Sequence, residues 1–295
     1  MEKLLFIVNP TAGAGKAKKS VKLIEERMKR EDIEYKIIFT NAPKEATTIA
    51  QNSIDEYRII VAVGGDGTVN EVAKGIINKG RGVLGVLPCG TGNDYSKALG
   101  IPQKVEEALD VILMGNTKVV DVGKINGYNI FNIASVGFDT EVAMRTNRIK
   151  KTIKNKFSYL FGTLVTLFSY KKRKFDIVID DVRYTRNLVL LAMGKGKCYG
   201  GGLQILPMAE LTDGQLHVCL VRNISNLGIL FLFPSIFKGK HIRFKKYVEI
   251  FSAKKIVVEN SEEINLNIDG EIFQTKENIT IEIEKAILEV ISNPT

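Results

Sequence analysis

Two histidines and three cysteines in 295 residues leave little material for several kinds of chemistry. His217 and His241 have no partner at a spacing that suggests a histidine metal site or a serine–histidine–aspartate triad. Cys89, Cys198 and Cys219 are odd in number and lack CxxC spacing, which argues against a disulfide framework or a zinc knuckle and for plain reduced thiols. Long apolar runs are missing too. The best candidate, Phe157 to Tyr170, contains Gly162 and spans ~14 residues, too short for a hydrocarbon core of ~30 Å. No signal peptide is expected at the start, because Met1-Glu2-Lys3 leads at once into Leu4 to Val8, an apolar run that reads as a buried strand. The expected location is therefore the cytoplasm. Internal repeats and low-complexity tracts are absent. What remains for catalysis is carboxylates, lysines, glycines and a metal.

What is present is ordinary in bulk and uneven in position. With 45% hydrophobic and 25% charged residues, the chain has the composition of a globular protein long enough for two domains. Its net charge of +9 favours an anionic partner without choosing among nucleotide, nucleic acid and lipid headgroup. The excess lies in the second half. Val142 to Phe175 holds no acid and many bases, among them Arg145, Lys150, Lys171, Lys172, Arg173 and Lys174. Gly214 to Val248 also lacks acids and carries Arg222, Lys238, Lys240, Arg243, Lys245 and Lys246.

The first ~125 residues alternate apolar runs with helical patterns, which implies a parallel sheet covered by helices. The expected strands are Leu4 to Val8, Tyr35 to Phe39, Arg58 to Val63 and Val83 to Pro88, with helices near Lys16 to Arg30, Lys44 to Ser53 and Val69 to Asn78. From about Asp121 short period-2 runs take over, which reads as a mainly antiparallel β-sandwich. Those runs are Tyr128 to Ala134, Phe175 to Asp180, Arg186 to Met193, Gln215 to Val221, Lys255 to Val258, Ile264 to Ile268 and Asn278 to Ile283. Helical patterns interrupt them near Asp139 to Lys150, Lys156 to Tyr170 and Ser225 to Phe237. The expected fold class is thus α/β: an N-terminal doubly wound parallel-sheet nucleotide domain over 1–124, a β-sandwich domain over 125–283, and a C-terminal segment 284–295 that can return to the first domain.

Ligands of open parallel sheets sit at the carboxyl ends of the strands, and three glycine-rich turns fall there. They are Asn9-Pro10-Thr11-Ala12-Gly13, Gly64-Gly65-Asp66-Gly67-Thr68 and Gly90-Thr91-Gly92-Asn93-Asp94. Glycines between a strand and a helix let backbone N–H groups approach an anion, and phosphate is the natural guest. Neither common nucleotide fingerprint is met: Lys16 is followed by Ala17, and Asn70 stands where GxGxxG needs its last glycine. A tight turn with Asp66 as a helix cap is the simpler reading of that loop alone. A carboxylate inside a phosphate loop would repel its own ligand unless a cation stands between them, so Asp66 and Asp94 read better beside Mg²⁺. In the second half, Asp213 follows a glycine-rich stretch from Tyr199 and could hold a hard cation with nearby carbonyls, or simply close a hairpin at Asp213-Gly214.

The ordered set Asn9-Pro-x-x-Gly13, Val63-Gly-Gly-Asp-Gly-Thr-x-Asn-Glu71, Pro88-x-Gly-Thr-x-Asn-Asp94, Tyr199-Gly-Gly-Gly202, Pro207-x-Ala209 with Asp213-Gly214, and Asp269-Gly-Glu271 resembles the diacylglycerol kinase catalytic family. The resemblance implies a nucleotide domain, a β-sandwich lipid domain, an ATP site in the cleft between them, and transfer of the γ-phosphoryl group to a lipid hydroxyl, diacylglycerol first. It assigns Asn9, Pro10, Thr11, Ala12, Gly13, Thr40, Gly64, Gly65, Asp66, Gly67, Thr68, Val69, Asn70, Glu71, Thr91 and Asp94 to ATP, with Asp66 and Asp94 in a water and Mg²⁺ network. It makes Asp213 the ligand of a structural Mg²⁺, with Glu210 and Gln215 as flanking carbonyl ligands, and Glu271 the proton acceptor, with Asp66 competing for that role. Other readings are a kinase for phosphatidylglycerol or a sphingoid base, an NAD-kinase-like enzyme, and a membrane-binding module without turnover. Expected partners are ATP and a lipid at the anionic inner face of the membrane, reached through Val142 to Phe175 or Ser225 to Lys246, with a homodimer possible and no nucleic acid. Within the first stretch, Phe157, Leu160, Phe161, Leu164, Val165 and Phe168 repeat at helical spacing.

Overall fold

A computed structural model describes residues 2–138, 140–142, 144, 173–222, 224–260 and 262–293. Two compact units emerge, one of residues 1–122 with 284–295 and one of residues 123–283.

The first unit is a parallel sheet of β1 (Leu4–Val8), β2 (Tyr35–Phe39), β3 (Ile59–Gly64) and β4 (Val83–Pro88) in the order β2-β1-β3-β4. β1, β3 and β4 are buried along their whole length, which is why they read as unbroken apolar runs. Helices account for that burial. α1 (Lys16–Arg30) turns Ala17, Ser20, Ile24 and Met28 inward at helical spacing and packs beside α5 (Val105–Met114). α2 (Glu45–Ser53) and α3 (Asp66–Lys79) form the other pair, and the short α4 (Asp94–Ala98) follows β4. Beyond β4, the end of a long strand, β15 (Ile279–Ile291), pairs in parallel through Glu289 and Val290 with Val83 and Leu84. Strand order reverses between β1 and β3, so the carboxyl ends of those two strands border the crevice where open sheets take their ligands.

Sequence periodicity places the start of α3 at Val69, but the helix begins at Asp66, so the acid lies in its first turn. The pattern also misses α4, α5 and β5 (Thr117–Ile125) and stops β15 at Ile283. β15 continues because Asp121 Oδ1 accepts the Ala286 amide at 3.0 Å where Ala286 takes a positive φ of 52°, and the strand resumes beyond that kink.

The second unit is antiparallel. It contains β6 (Tyr128–Ile130), β7 (Ile133–Gly137), β8 (Arg173–Ile179), β9 (Val182–Gly194), β10 (Leu216–Arg222), β11 (Val248–Ala253), β12 (Lys255–Glu259), β13 (Ile264–Ile268) and β14 (Glu271–Thr275). The expected single strand Tyr128 to Ala134 is two strands, broken at Phe131 and Asn132. β8 and β9 join through Asp180 and Asp181, both at positive φ (42° and 71°), the signature of a two-residue hairpin whose twist matches its strands. The first half of β9 pairs with β8, and the second half lies between β7 and β10. There both faces are buried. Leu191 and Met193 join Val218, Leu220, Ala134 and Val136 in one core, while Leu190 and Ala192 join Cys219, Val221 and Ile133 in another. Ile205, Leu206 and Ala209 cover that second core, with Leu232 of α6 (Asn226–Ile236). Full burial pushes the Cys219 thiol up to about 12, so it stays a protonated core residue at neutral pH.

The helical patterns expected near Asp139 to Lys150 and Lys156 to Tyr170, together with the apolar stripe from Phe157 to Phe168, lie almost wholly outside the described residues. Among the described residues no helix is long and apolar enough to cross a membrane.

Candidate active site

The first unit brings the three glycine loops to the carboxyl edge of β1, β3 and β4. Asn9 ends β1: its amide donates to the Val63 carbonyl (3.1 Å), and its Nδ2 donates to Thr68 Oγ1 in the second loop (3.2 Å). Its Oδ1 accepts from the Thr11 amide and hydroxyl at 3.1 and 2.9 Å, which folds the Pro10–Gly13 turn back over the strand end. Gly13 adopts φ +58°, and a Cβ there would lie 1.9 Å from the Cys89 carbonyl oxygen, so only glycine lets the first loop close on the third. The second and third loops meet backbone to backbone, because a Cβ on Gly90 would fall 2.5 Å from Gly65 Cα. The Cys89 and Gly90 amides both donate to the Gly64 carbonyl, at 2.8 and 3.1 Å.

Asp66 and Asp94 bring two carboxylates into this packed edge. Asp66 Oδ1 accepts the Tyr95 amide at 3.0 Å, so the acid of the second loop caps the helix that follows the third. Burial raises the Asp66 carboxyl above its ordinary range; the Tyr95 amide pulls it down, and the Asp94 charge raises it further. Asp94 is buried and paired with Lys97 at 3.1 Å. Asn93 Oδ1 is buried with no hydrogen-bond partner among the described residues. A glycine cradle, two adjacent acids and an orphaned buried oxygen suit an anion neutralised by a hard cation.

The remaining positions expected at the nucleotide divide in two. Thr40 lies where β2 ends, its amide bonded to the Val8 carbonyl at 2.9 Å, and Thr91 is exposed in the third loop. Val69 is buried in α3 beside Asn70. Glu71 is otherwise engaged: its carboxylate oxygens accept the Lys44 and Ala46 amides at 2.9 and 3.2 Å, which fixes the start of α2. Lys16, which lacks a P-loop spacing, opens α1 with its Nζ 3.3 Å from the Pro88 carbonyl.

In the second unit three nitrogen donors hold Asp213. Its Oδ1 accepts from Lys195 Nζ and from the Gln215 amide (3.1 Å), and its Oδ2 is 2.7 Å from His217 Nε2. Lys195 Nζ also donates to the Gln215 carbonyl at 2.7 Å. Burial alone would raise the Asp213 carboxyl, but the Lys195, His217 and Gln215 hydrogen bonds outweigh it and hold it below its ordinary range. Glu210 is exposed. The histidine that showed no partner by spacing therefore has two: Asp213 four residues before it, and Ser252, its cross-strand neighbour on β11, with Oγ 3.2 Å from Nδ1. Strand register supplies what linear spacing hides.

Glu271 opens β14, exposed, at a turn organised by its neighbour Asp269. Asp269 Oδ2 accepts the Phe131 amide at 2.7 Å, and its Oδ1 accepts the Asn132 and Ile133 amides at 2.9 Å each. The Asn132 carbonyl in turn accepts the amides of Lys195 and Gly196, both at 2.9 Å. One backbone path thus joins the Glu271 turn to the Lys195–Asp213 pair.

Comparison with known proteins places this arrangement. Residues 3–125 match the model of the diacylglycerol kinase catalytic domain, and residues 132–292 match that of the YegS C-terminal NAD kinase beta sandwich-like domain. A diacylglycerol kinase of Staphylococcus saprophyticus is 33% identical over 270 residues, covering 90% of this chain and 88% of that protein. One of Staphylococcus carnosus is 31% identical over the same length, 87% of its own chain. A crystal structure of a diacylglycerol kinase from Bacillus anthracis superposes with a TM-score of 0.74 at 26% identity, covering 99% of this chain and 97% of that one. A second structure from that organism reaches 0.83 at 30% identity, covering 99% and 96%.

Proposed function

We propose, from the premise that this chain belongs to the diacylglycerol kinase family, that it transfers the γ-phosphoryl group of ATP to the free hydroxyl of diacylglycerol, forming phosphatidic acid. The observation that carries the reading is the meeting of three glycine loops and two acids at the switch point of a parallel sheet. Phosphoryl transfer asks mainly for positioning and charge neutralisation, and backbone amides that reach an anion without Cβ obstruction supply both. Asn9, Thr11 and Gly13 of the first loop, with Gly65 to Thr68 of the second, would bind the phosphates; Asp66 and Asp94 would hold Mg²⁺, which when bound neutralises charge on the transferring group. Glu271 would accept the proton of the lipid hydroxyl late in the reaction. The test is ADP release by the purified protein with detergent-dispersed diacylglycerol, with NAD, and with no acceptor. Release with NAD alone would replace this reading by an NAD-kinase-like one.

A lipid kinase must reach a substrate that does not leave the bilayer, and α6 offers the apolar surface for it. Leu227, Leu230 and Phe231 on α6 and Phe237 just beyond are 72%, 51%, 81% and 51% exposed, at helical spacing along one side. The other side, Ile229, Leu232, Phe233 and Ile236, lines an apolar cavity with Phe138, Val142 and Tyr199. Lys238, Lys240, Arg243, Lys245 and Lys246 follow directly, the pairing of apolar face and bases expected of a segment lying on an anionic surface. The double substitution Leu230→Glu with Phe231→Glu should cut co-sedimentation with phosphatidylglycerol vesicles by at least about tenfold, since burying each side chain contributes about 1.5–3 kcal/mol. Unchanged vesicle binding would remove α6 from the docking surface.

A further inference from the structure

We infer that the cation of the Asp213 site is built into the chain: the ammonium group of Lys195 stands where the family resemblance expects a structural Mg²⁺. Lys195 is fully buried at the end of β9, yet its charge is not stranded, because its Nζ donates to Asp213 Oδ1 and to the Gln215 carbonyl. Those are two of the groups expected to ligate the ion. N–H donors already occupy every oxygen that a metal would share here: both carboxylate oxygens of Asp213, through Lys195, His217 and the Gln215 amide, and the Gln215 carbonyl, through Lys195. Mg²⁺ demands about six oxygen ligands at ~2.0–2.1 Å, and a dication there would share one carboxylate with a buried ammonium. The ammonium therefore competes directly with a dication for the same carboxylate.

An internal ammonium does the mechanical work of such an ion. It bridges the Asp213–Gln215 turn to the segment just past β9, where the Lys195 and Gly196 amides hold the Asn132 carbonyl. Asn132 is in turn held by Asp269, two residues before Glu271. A covalently tethered charge makes this scaffold independent of the free Mg²⁺ concentration, although turnover still needs the Mg²⁺ carried with ATP.

Hydrogen exchange of the peptide covering residues 194–217, measured on the ATP-free protein in EDTA and in excess Mg²⁺, tests the assignment. The wild type should exchange at the same rate, within about twofold, in both buffers. Lys195→Ala, which leaves room for an ion, should exchange on the order of a hundredfold faster in EDTA, because one partner of a buried pair is gone. Mg²⁺ should restore its protection. Protection of this peptide by Mg²⁺ in the wild type would overturn the assignment, as would a folded Lys195→Ala protein with wild-type exchange in EDTA. Should Lys195→Ala fail to fold, the wild-type comparison decides alone.

Discussion

Asp66→Asn should lower kcat by roughly 10²- to 10³-fold while leaving the thermal midpoint close to that of the wild type. The substitution is chosen for what it keeps. Asp66 Oδ1 accepts the Tyr95 amide at the start of α4, and an asparagine can still accept that bond through its own carbonyl oxygen. What it loses is the negative charge, which is the property a Mg²⁺ site requires. Asp66→Ala is a worse experiment, since it also deletes the cap and should cost about 1 kcal/mol of stability in the first unit. Burial and the nearby Asp94 already raise the Asp66 carboxyl, so the site should take up protons more readily without a cation than with one. A folded Asp66→Asn protein with wild-type kcat would remove the acid from the reaction and leave it as a helix cap.

The architecture was legible in the sequence where burial imposes a single period. β1, β3 and β4 are apolar throughout because helices cover both faces, and the glycine loops follow them directly, so strand ends and loops could be placed from residue type alone. The sheet edge was less legible in detail. Asp66 bonds forward to Tyr95, 29 residues away, and Glu71 bonds back to Lys44, 27 residues away, and neither separation leaves a pattern in a linear scan. The same limit hid the neighbours of Asp213. Lys195 and His217 reach it because β9 and β10 pair antiparallel, with His217 opposite Gly194, and Ser252 arrives through the β10–β11 register. A lysine placed between glycines at the end of an apolar strand, Gly194-Lys195-Gly196, was the available signal for a buried charge, but a solvated turn reads the same way. α5 carries a helical pattern in the sequence, between Pro102 and Gly115.

Glu271→Gln should reduce kcat by about 10²- to 10⁴-fold, the range general-base catalysis supplies, with little change in the KM for ATP. The glutamine matches the carboxylate in size and can accept a hydrogen bond, so the folded turn should survive; only the capacity to take a proton is removed. The local structure favours a clean result. The backbone here is held by Asp269, whose carboxylate carries three amides from Phe131 to Ile133, whereas Glu271 is the exposed residue just past the turn. Asp269→Asn provides the contrast. It should lower stability by weakening that anchor and lose activity only through misplacement of Glu271, so its pH–rate profile should keep the wild-type shape. Glu271→Gln should instead lose the acidic limb of its profile, because the group that must be deprotonated is no longer there. If Glu271→Gln keeps kcat and loses ATP affinity, the glutamate serves the nucleotide or its metal, and Asp66 becomes the base to examine. A doubly substituted Asp66→Asn, Glu271→Gln protein separates the two roles: independent functions give losses that multiply, whereas a shared function gives a double variant no slower than the worse single one.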